Sequence, residues 1–370
     1  MKILHIISSG GMYGAEAVIL NLSRSLNEAQ HHSMLGVFSN STNLNLELHN
    51  AATNAGVESH LIECNGQIDR AVPNRIRELV RQTGADIIHA HGYKADVYVY
   101  LALRNSAIPM VSTCHNWLKQ NRTVAVYGAV DRLVLRNYTA VVAVSDQVKR
   151  TLLSSGVYKE KIHKVVNGID LRPYDKAVPS LRTNSNGKHM ATVGWVGRLS
   201  HEKGPDLFIR AAAQTLAYLP ETKFILVGDG PDRASLESLI DELNIRSSVS
   251  LAGRREDMPS VYASFDIAVL SSRQEGLPMA VLEGMASSRP WIATAVGDVP
   301  TVIHDDVTGL LVRPNDVDSL STALISLLQN VEKQQQLGSA ARTLVEEKFS
   351  AQRMSNDYLG IYQECLRKPR

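Results

Sequence analysis

Cysteine is scarce. Cys64, Cys114 and Cys365 are odd in number, widely spaced and form no Cys-x-x-Cys pair, so neither a disulfide framework nor a zinc knuckle is indicated, and all three are read as reduced thiols. Aromatic residues make up only 5% of the chain and the formal net charge is +2, with no interleaving of basic and aromatic residues. That argues against a nucleic-acid partner. No stretch of about 18 apolar residues is present. The amino terminus passes from Met1-Lys2 straight into Ile3-Leu4-His5-Ile6-Ile7, a strand pattern too short for the apolar region of a signal peptide. A cytoplasmic protein is expected. At 370 residues and 44% hydrophobic content, the chain has material for two cores rather than one.

The most informative stretch covers residues 271–286. It follows the apolar run 265–270, read as a buried strand, and Pro278 sits where a first helical turn tolerates proline. The pattern is strand, loop, helix. Glu275 falls in the loop, Glu283 falls more than a turn inside the helix, and backbone N–H groups from Leu277 to Ala280 are left to face an anion. An ordinary strand-to-helix turn with solvated acids is the other reading. A glycosidase pair is disfavoured, because positions eight apart on a helix are up to roughly 12 Å apart, outside the window of about 5–9.5 Å.

The run Gly197-Arg198-Leu199-Ser200-His201-Glu202-Lys203-Gly204 also follows a strand, Thr192-Val193-Gly194-Trp195-Val196. Two cations five residues apart in a glycine-bounded loop could converge on a diphosphate, Arg198 through its planar fork and Lys203 as a point charge. A surface loop with incidental charges is the alternative. Near the amino terminus, Ser9-Gly10-Gly11-Met12-Tyr13-Gly14 turns from a strand into a helix. Met12 occupies the second glycine place of Gly-x-Gly-x-x-Gly, and the next strand ends in Ser39-Asn40 without an acid for an adenosine ribose. A dinucleotide oxidoreductase is therefore disfavoured.

The acid, seven residues, then acid, with Gly276-Leu277-Pro278 after the first, resembles the Glu-x7-Glu motif of retaining GT-B glycosyltransferases of family 4. The resemblance is repeated in order from Gly10 to about Val312. It implies an α/β, GT-B fold: two facing Rossmann-like domains with a cleft between them and a C-terminal helix crossing back to the first. The expected divisions are 1–172 for the acceptor-binding domain, 173–190 for a linker broken by Pro173, Pro179 and a polar run, 191–350 for the nucleotide-sugar domain, and 351–370 for the returning helix. By the same resemblance Arg198 and Lys203 hold the leaving diphosphate, Glu275 the sugar hydroxyls and Glu283 the ribose. Gly10, Gly11, Gly197, Gly228, Gly276, Leu277 and Pro278 approach the donor, and the base is received largely by backbone around Arg254 and Arg255.

His91 and His115 close two apolar strands, and open parallel sheets place ligands at such ends. In similar proteins a histidine at the place of His115 reaches the transferred sugar. That role, holding a hydroxyl and supplying positive charge density, stands beside a packed, hydrogen-bonded histidine. His89 and His91 share a strand face, yet no matching carboxylate is evident and no metal is expected. Between 117 and 164, nine Lys and Arg stand against three Asp and Glu. This is either a solvated basic face or a peripheral contact with anionic lipid at the inner face of a membrane. Asp316-Val317-Asp318 precedes an apolar helix and is read as a cap rather than a metal motif. Around 296–301 the chain departs from the family pattern, with Asp298 and Thr301 where glycine and glutamate are common.

The reading is a retaining, metal-independent hexosyltransferase that needs no cofactor. Its donor is a UDP- or GDP-sugar and its acceptor a saccharide or lipid-linked saccharide, in bacterial cell-surface polysaccharide or glycolipid assembly. A nucleotide-sugar epimerase and a catalytically silent nucleotide-binding subunit remain the alternatives.

Overall fold

The computed structural model describes residues 1–12, 14–40, 46–66, 68–115, 132–182, 184–185, 188–276 and 278–367. The chain divides into two compact units, one of Met1–Ile169 with Ala351–Arg370 and one of Asp170–Ser350.

The first unit carries a seven-stranded parallel sheet. Its strands are β1 (Lys2–Ile7), β2 (His32–Ser39), β3 (Glu58–Glu63), β4 (Ile87–His91), β5 (Met110–Cys114), β6 (Ala140–Ala143) and β7 (Ile162–Lys164). Their spatial order is β3-β2-β1-β4-β5-β6-β7, the doubly wound arrangement. Apolar runs such as Ile3-Leu4 and Ile87-Ile88 suit strands covered on both faces. Parallel register sets Ile7 beside His91 and His91 beside Thr113, so the ends of β1, β4 and β5 lie level. The helices α1 (Gly14–Glu28), α2 (Glu47–Asn54), α3 (Val72–Thr83), α4 (Tyr93–Leu103) and α5 (Asp146–Ser154) connect the strands. Ser145 starts α5 by accepting the Val148 amide at 3.2 Å.

The second unit begins with the short α6 (Arg172–Asp175) and a hairpin of β8 (Asn184–Ser185) and β9 (Lys188–His189). The stretch around 173–190 is not a free connector. Ser264 Oγ accepts the amides of Ser180 and Leu181 at 2.9 Å, and Arg342 pairs with Asp175 at 2.6 Å, which fixes it to this unit. The six-stranded parallel sheet comprises β10 (Thr192–Val196), β11 (Lys223–Val227), β12 (Val249–Gly253), β13 (Ile267–Leu270), β14 (Trp291–Thr294) and β15 (Leu310–Val312), in the order β12-β11-β10-β13-β14-β15. Around it lie α7 (Pro205–Leu216), α8 (Arg233–Glu242), α9 (Met258–Ala263), α10 (Met279–Ala286), α11 (Val317–Leu328) and α12 (Val331–Lys348). Asp316 caps α11 through the Ser319 amide at 2.9 Å, as the sequence pattern suggests.

The last helix, α13 (Ala351–Arg367), belongs to the first unit and packs on α1. Ser355 and Ser25 hydroxyls meet at 2.8 Å. Tyr358 and Tyr362 are fully buried and hydrogen-bond to Thr113 and His89 at the strand ends. No described helix is long and apolar enough to cross a membrane.

Candidate active site

In the second unit the loops leaving β10 and β13 are laced together. Ser271 Oγ donates to Gly204 O at 2.6 Å, and the Arg273 amide donates to Glu202 O at 2.8 Å. The Arg273 guanidinium grips Asp206, at the start of α7, with two bonds of 2.8 and 2.7 Å. Lys203 and Glu275, 72 residues apart, are thereby brought into direct contact. Lys203 Nζ donates to both carboxylate oxygens at 2.8 and 2.7 Å, and Ser272 Oγ donates to one of them at 2.7 Å. The Glu275 side chain is only 4% exposed, so its charge is tolerable because the ammonium compensates it. Behind it, Gly297 has φ +53°, and a Cβ there would stand 1.9 Å from Glu275 O. The backbone carrying this glutamate therefore depends on a glycine eight residues before Asp305.

Arg198 differs from Lys203. It is exposed, and its guanidinium makes no hydrogen bond or ion pair among the described residues. After the Ser200 hydroxyl bond, the charge of Arg198 helps hold the Glu202 carboxyl below its usual range, but with no bond formed between them the guanidinium stays available to another anion. Gly228 must be glycine for packing, and a Cβ on Gly197 would press on the Trp195 ring at 3.0 Å. A Cβ on Gly228, whose φ is +137°, would come within 1.8 Å of Gly197 O, so these two mark the close approach of two loops. Gly276 is the opposite case: a Cβ would meet nothing within 4 Å. Pro278 is the N-cap of α10, one place earlier than its expected position inside the first turn, and supplies no side-chain cap. The first-turn amides of Met279 and Ala280 thus face outward from the helix end. Leu277 lies outside the described residues.

Glu283, on α10, has a different environment from Glu275. Desolvation pushes its carboxyl up from 4.5 to about 7, opposed by the Tyr262 hydroxyl. The residue is half-buried as a whole, with its acid end the desolvated part. The buried Tyr262 hydroxyl lies near enough to the Glu283 carboxyl to lower it but does not meet it in hydrogen-bond geometry, and burial with the charge of Glu283 pushes Tyr174 up as well. Neither tyrosine carries a motif. Only the packing of α6 and α9 against α10 brings them to Glu283. At the end of β12, Arg255 is committed to Asp257 by two 2.8 Å bonds, while Arg254 has a partner of its own.

In the first unit the glycine loop is largely occupied by its own chain. Gly11 N donates to Ser9 Oγ at 3.3 Å and Met12 N to Glu47 Oε2 at 3.0 Å, leaving Gly10 exposed. His115 belongs to a histidine cluster. Its Nε2 lies 3.2 Å from Nδ1 of His91, whose Nε2 lies 3.0 Å from Nδ1 of His5. Burial lowers His115 to about 4 and His5 to about 3, and holds His89 and His91 well below the usual range. His115 is therefore neutral, and the positive charge density expected of it is corrected: desolvation outweighs protonation. His5, His89 and His91 offer nitrogens within 4.8 Å of one another. Both nitrogens of His89, however, already face the hydroxyls of Tyr362 and Thr113, at 2.8 and 2.7 Å. His5 was not singled out in the sequence. The signal was its register, because β1 and β4 pair with His5 beside His89.

Residues 12–172 match the family model Glycosyltransferase Family 4, and residues 182–344 match Glycosyl transferases group 1. The chain belongs to the family 4 glycosyltransferases. Alpha-D-kanosaminyltransferase of Streptomyces kanamyceticus is 28% identical over 307 residues, 78% of this chain and 79% of that protein. The UDP-Gal:alpha-D-GlcNAc-diphosphoundecaprenol alpha-1,3-galactosyltransferase of Escherichia coli is 26% identical, covering 67% of each chain. Among solved structures, Anabaena HepE in complex with UDP and with UDP-glucose superposes with TM-scores of 0.82 and 0.81. It is 20% identical, and each comparison covers 98% of this chain and 100% of that one. The likeness places the fold among GT-B glycosyltransferases.

Proposed function

We propose that this family 4 glycosyltransferase moves a hexose-type sugar, with retention of configuration, from a UDP- or GDP-sugar to an acceptor hydroxyl. The second unit would hold the donor and the first would serve the acceptor. The observation carrying this reading is the convergence of Lys203 on Glu275, with unpaired Arg198 on the same loop and the open amino end of α10 following Glu275. Arg198, Lys203 and the α10 amides balance charge growing on the diphosphate as the bond from C1 to the leaving oxygen breaks, without calling on a metal. Glu275 accepts from sugar hydroxyls, Glu283 from the ribose, and His115 holds a hydroxyl as a neutral imidazole. No carboxylate is assigned to the opposite face of the sugar. The acceptor oxygen attacks from the front, and its proton passes to a diphosphate oxygen.

The donor class is supported by the UDP and UDP-glucose complexes of the structural relative, and a lipid-linked acceptor by the name of the Escherichia coli relative. Peripheral membrane contact through the basic region of 117–164 is part of the proposal. Lys164 pairs with Asp146 and Lys161 donates to Arg136 O, so some of that charge closes on its own chain, while 116–131 lies outside the described residues. The test is a thermal-shift panel of UDP- and GDP-sugars, followed by nucleotide release with saccharide and lipid-linked acceptors. Donor-dependent stabilisation with nucleotide release supports the reading. Isomerised donor alone, or binding without release in any acceptor mixture, overturns it.

A further inference from the structure

The buried histidines form two hydrogen-bonded systems that share a wall. One is Tyr362 OH, His89, Thr113 Oγ1 and Tyr358 OH, with contacts of 2.8, 2.7 and 2.9 Å, and it ties α13 to the strand ends. The other is His5, His91 and His115, joined Nδ1 to Nε2 at 3.0 and 3.2 Å. His5 and His91 are buried, and the two free ends, His5 Nε2 and His115 Nδ1, are both buried nitrogens with no partner.

A neutral imidazole has one N–H and one lone pair. Three of them joined Nδ1 to Nε2 therefore have only two consistent arrangements: every Nδ1 carries the hydrogen, or every Nε2 does. The first leaves a lone pair at the closed end, His5 Nε2, and an N–H at His115 Nδ1. The second reverses this and strands an N–H inside a site with zero exposure. Either arrangement leaves one buried N–H without a partner, at His115 Nδ1 or at His5 Nε2. The first is favoured because His115 is only half-buried at the end of β5, nearer to an acceptor from outside, whereas His5 has zero exposure inside the sheet. We infer that His5 and His91 are positioning residues that fix the tautomer of His115, so that its Nδ1 presents a hydrogen to a ligand hydroxyl or other acceptor oxygen. The ligand side of this inference rests on the donor-contact reading of His115. The tautomer side does not.

The test uses the full chain with 15N-labelled histidine and long-range proton–nitrogen correlation at neutral pH, with no donor added. His5, His91 and His115 are expected to be protonated at Nδ1. Protonation of His115 at Nε2, or an even mixture, overturns the inference without any variant being needed. His5→Asn keeps a donor where Nδ1 stood, and His5→Phe keeps bulk without one. The Phe variant is expected to mix the His115 tautomers and to slow nucleotide release about tenfold, with the Asn variant recovering most of the loss. A folded His5→Phe variant with an unchanged tautomer also overturns it. The expected tautomers in a chain that releases no nucleotide from any UDP- or GDP-sugar would uphold the relay and defeat the transferase reading.

Discussion

The two units share a 3-2-1-4-5-6 strand order, with a seventh strand added in the first, and differ in what they place at the carboxyl edges of their central strands. The first puts neutral imidazoles and hydroxyls there, buried and joined nitrogen to nitrogen. The second puts formal charges there, one pair closed on itself and one arginine left open. A doubly wound sheet supplies the position, while the chemistry comes from the residues at the loop and strand ends. Burial is the deciding variable. Four histidines in the first unit lose their charge to desolvation, whereas Glu275 is buried beside an ammonium, its designated counter-charge.

The sharpest way to break this contrast is at its open charge. Arg198→Ala should lower turnover by about 100-fold or more, the usual loss when a preorganised electrostatic partner of a leaving group is removed. It should barely affect stability, because Arg198 is exposed and its one electrostatic neighbour, Glu202, is also exposed. Steady-state nucleotide release together with a melting curve separates the two effects. Lys203→Ala should behave differently and destabilise the protein by about 2–3 kcal/mol, since it strands a carboxylate that is 4% exposed. Pairing it with Glu275→Leu should recover the stability and none of the turnover, as urea unfolding and a nucleotide assay would show.

Glu283 offers a pH test of the second unit. Its folded pKa is raised from 4.5 to about 7, so the folded state holds a proton that the unfolded state has released. Its favourable contribution is therefore greatest below about pH 4.5 and is lost as pH rises through 7, about 3 kcal/mol in all. Glu283→Gln should flatten that part of the stability profile. Donor affinity should run the other way, weakening as pH falls below 7, because ribose hydroxyls need the ionised carboxylate as acceptor. The smallest expected effect is in the neutral region. Tyr362→Phe leaves His89 Nδ1 without its hydroxyl and should cost about 1–2 kcal/mol in thermal unfolding, with nucleotide release unchanged.

Much of this arrangement was legible in the sequence. The strand-loop-helix around Glu275, the loop carrying Arg198 and Lys203, and the cap at Asp316 all rest on local spacing, and the structure forms each of them. What spacing could not supply was distance between segments. Tyr174 and Tyr262 reach Glu283 only through helix packing, and His5 meets His91 only through the β1–β4 register. Protonation was hidden for the same reason: a histidine at a strand end reads as a cation until its burial is known. The glycines were ambiguous too, because Gly228 and Gly276 look alike in sequence while one is demanded by a carbonyl and the other borders open space.

The central claim is that the second unit binds a nucleoside diphosphate through the cation it leaves unpaired. Calorimetric titration of UDP and GDP into the full chain and into its Arg198→Ala variant tests this directly. One nucleotide should bind the wild-type chain with an affinity at least tenfold above that of the variant. Equal affinities, or no binding of either nucleotide to the wild-type chain, would contradict it.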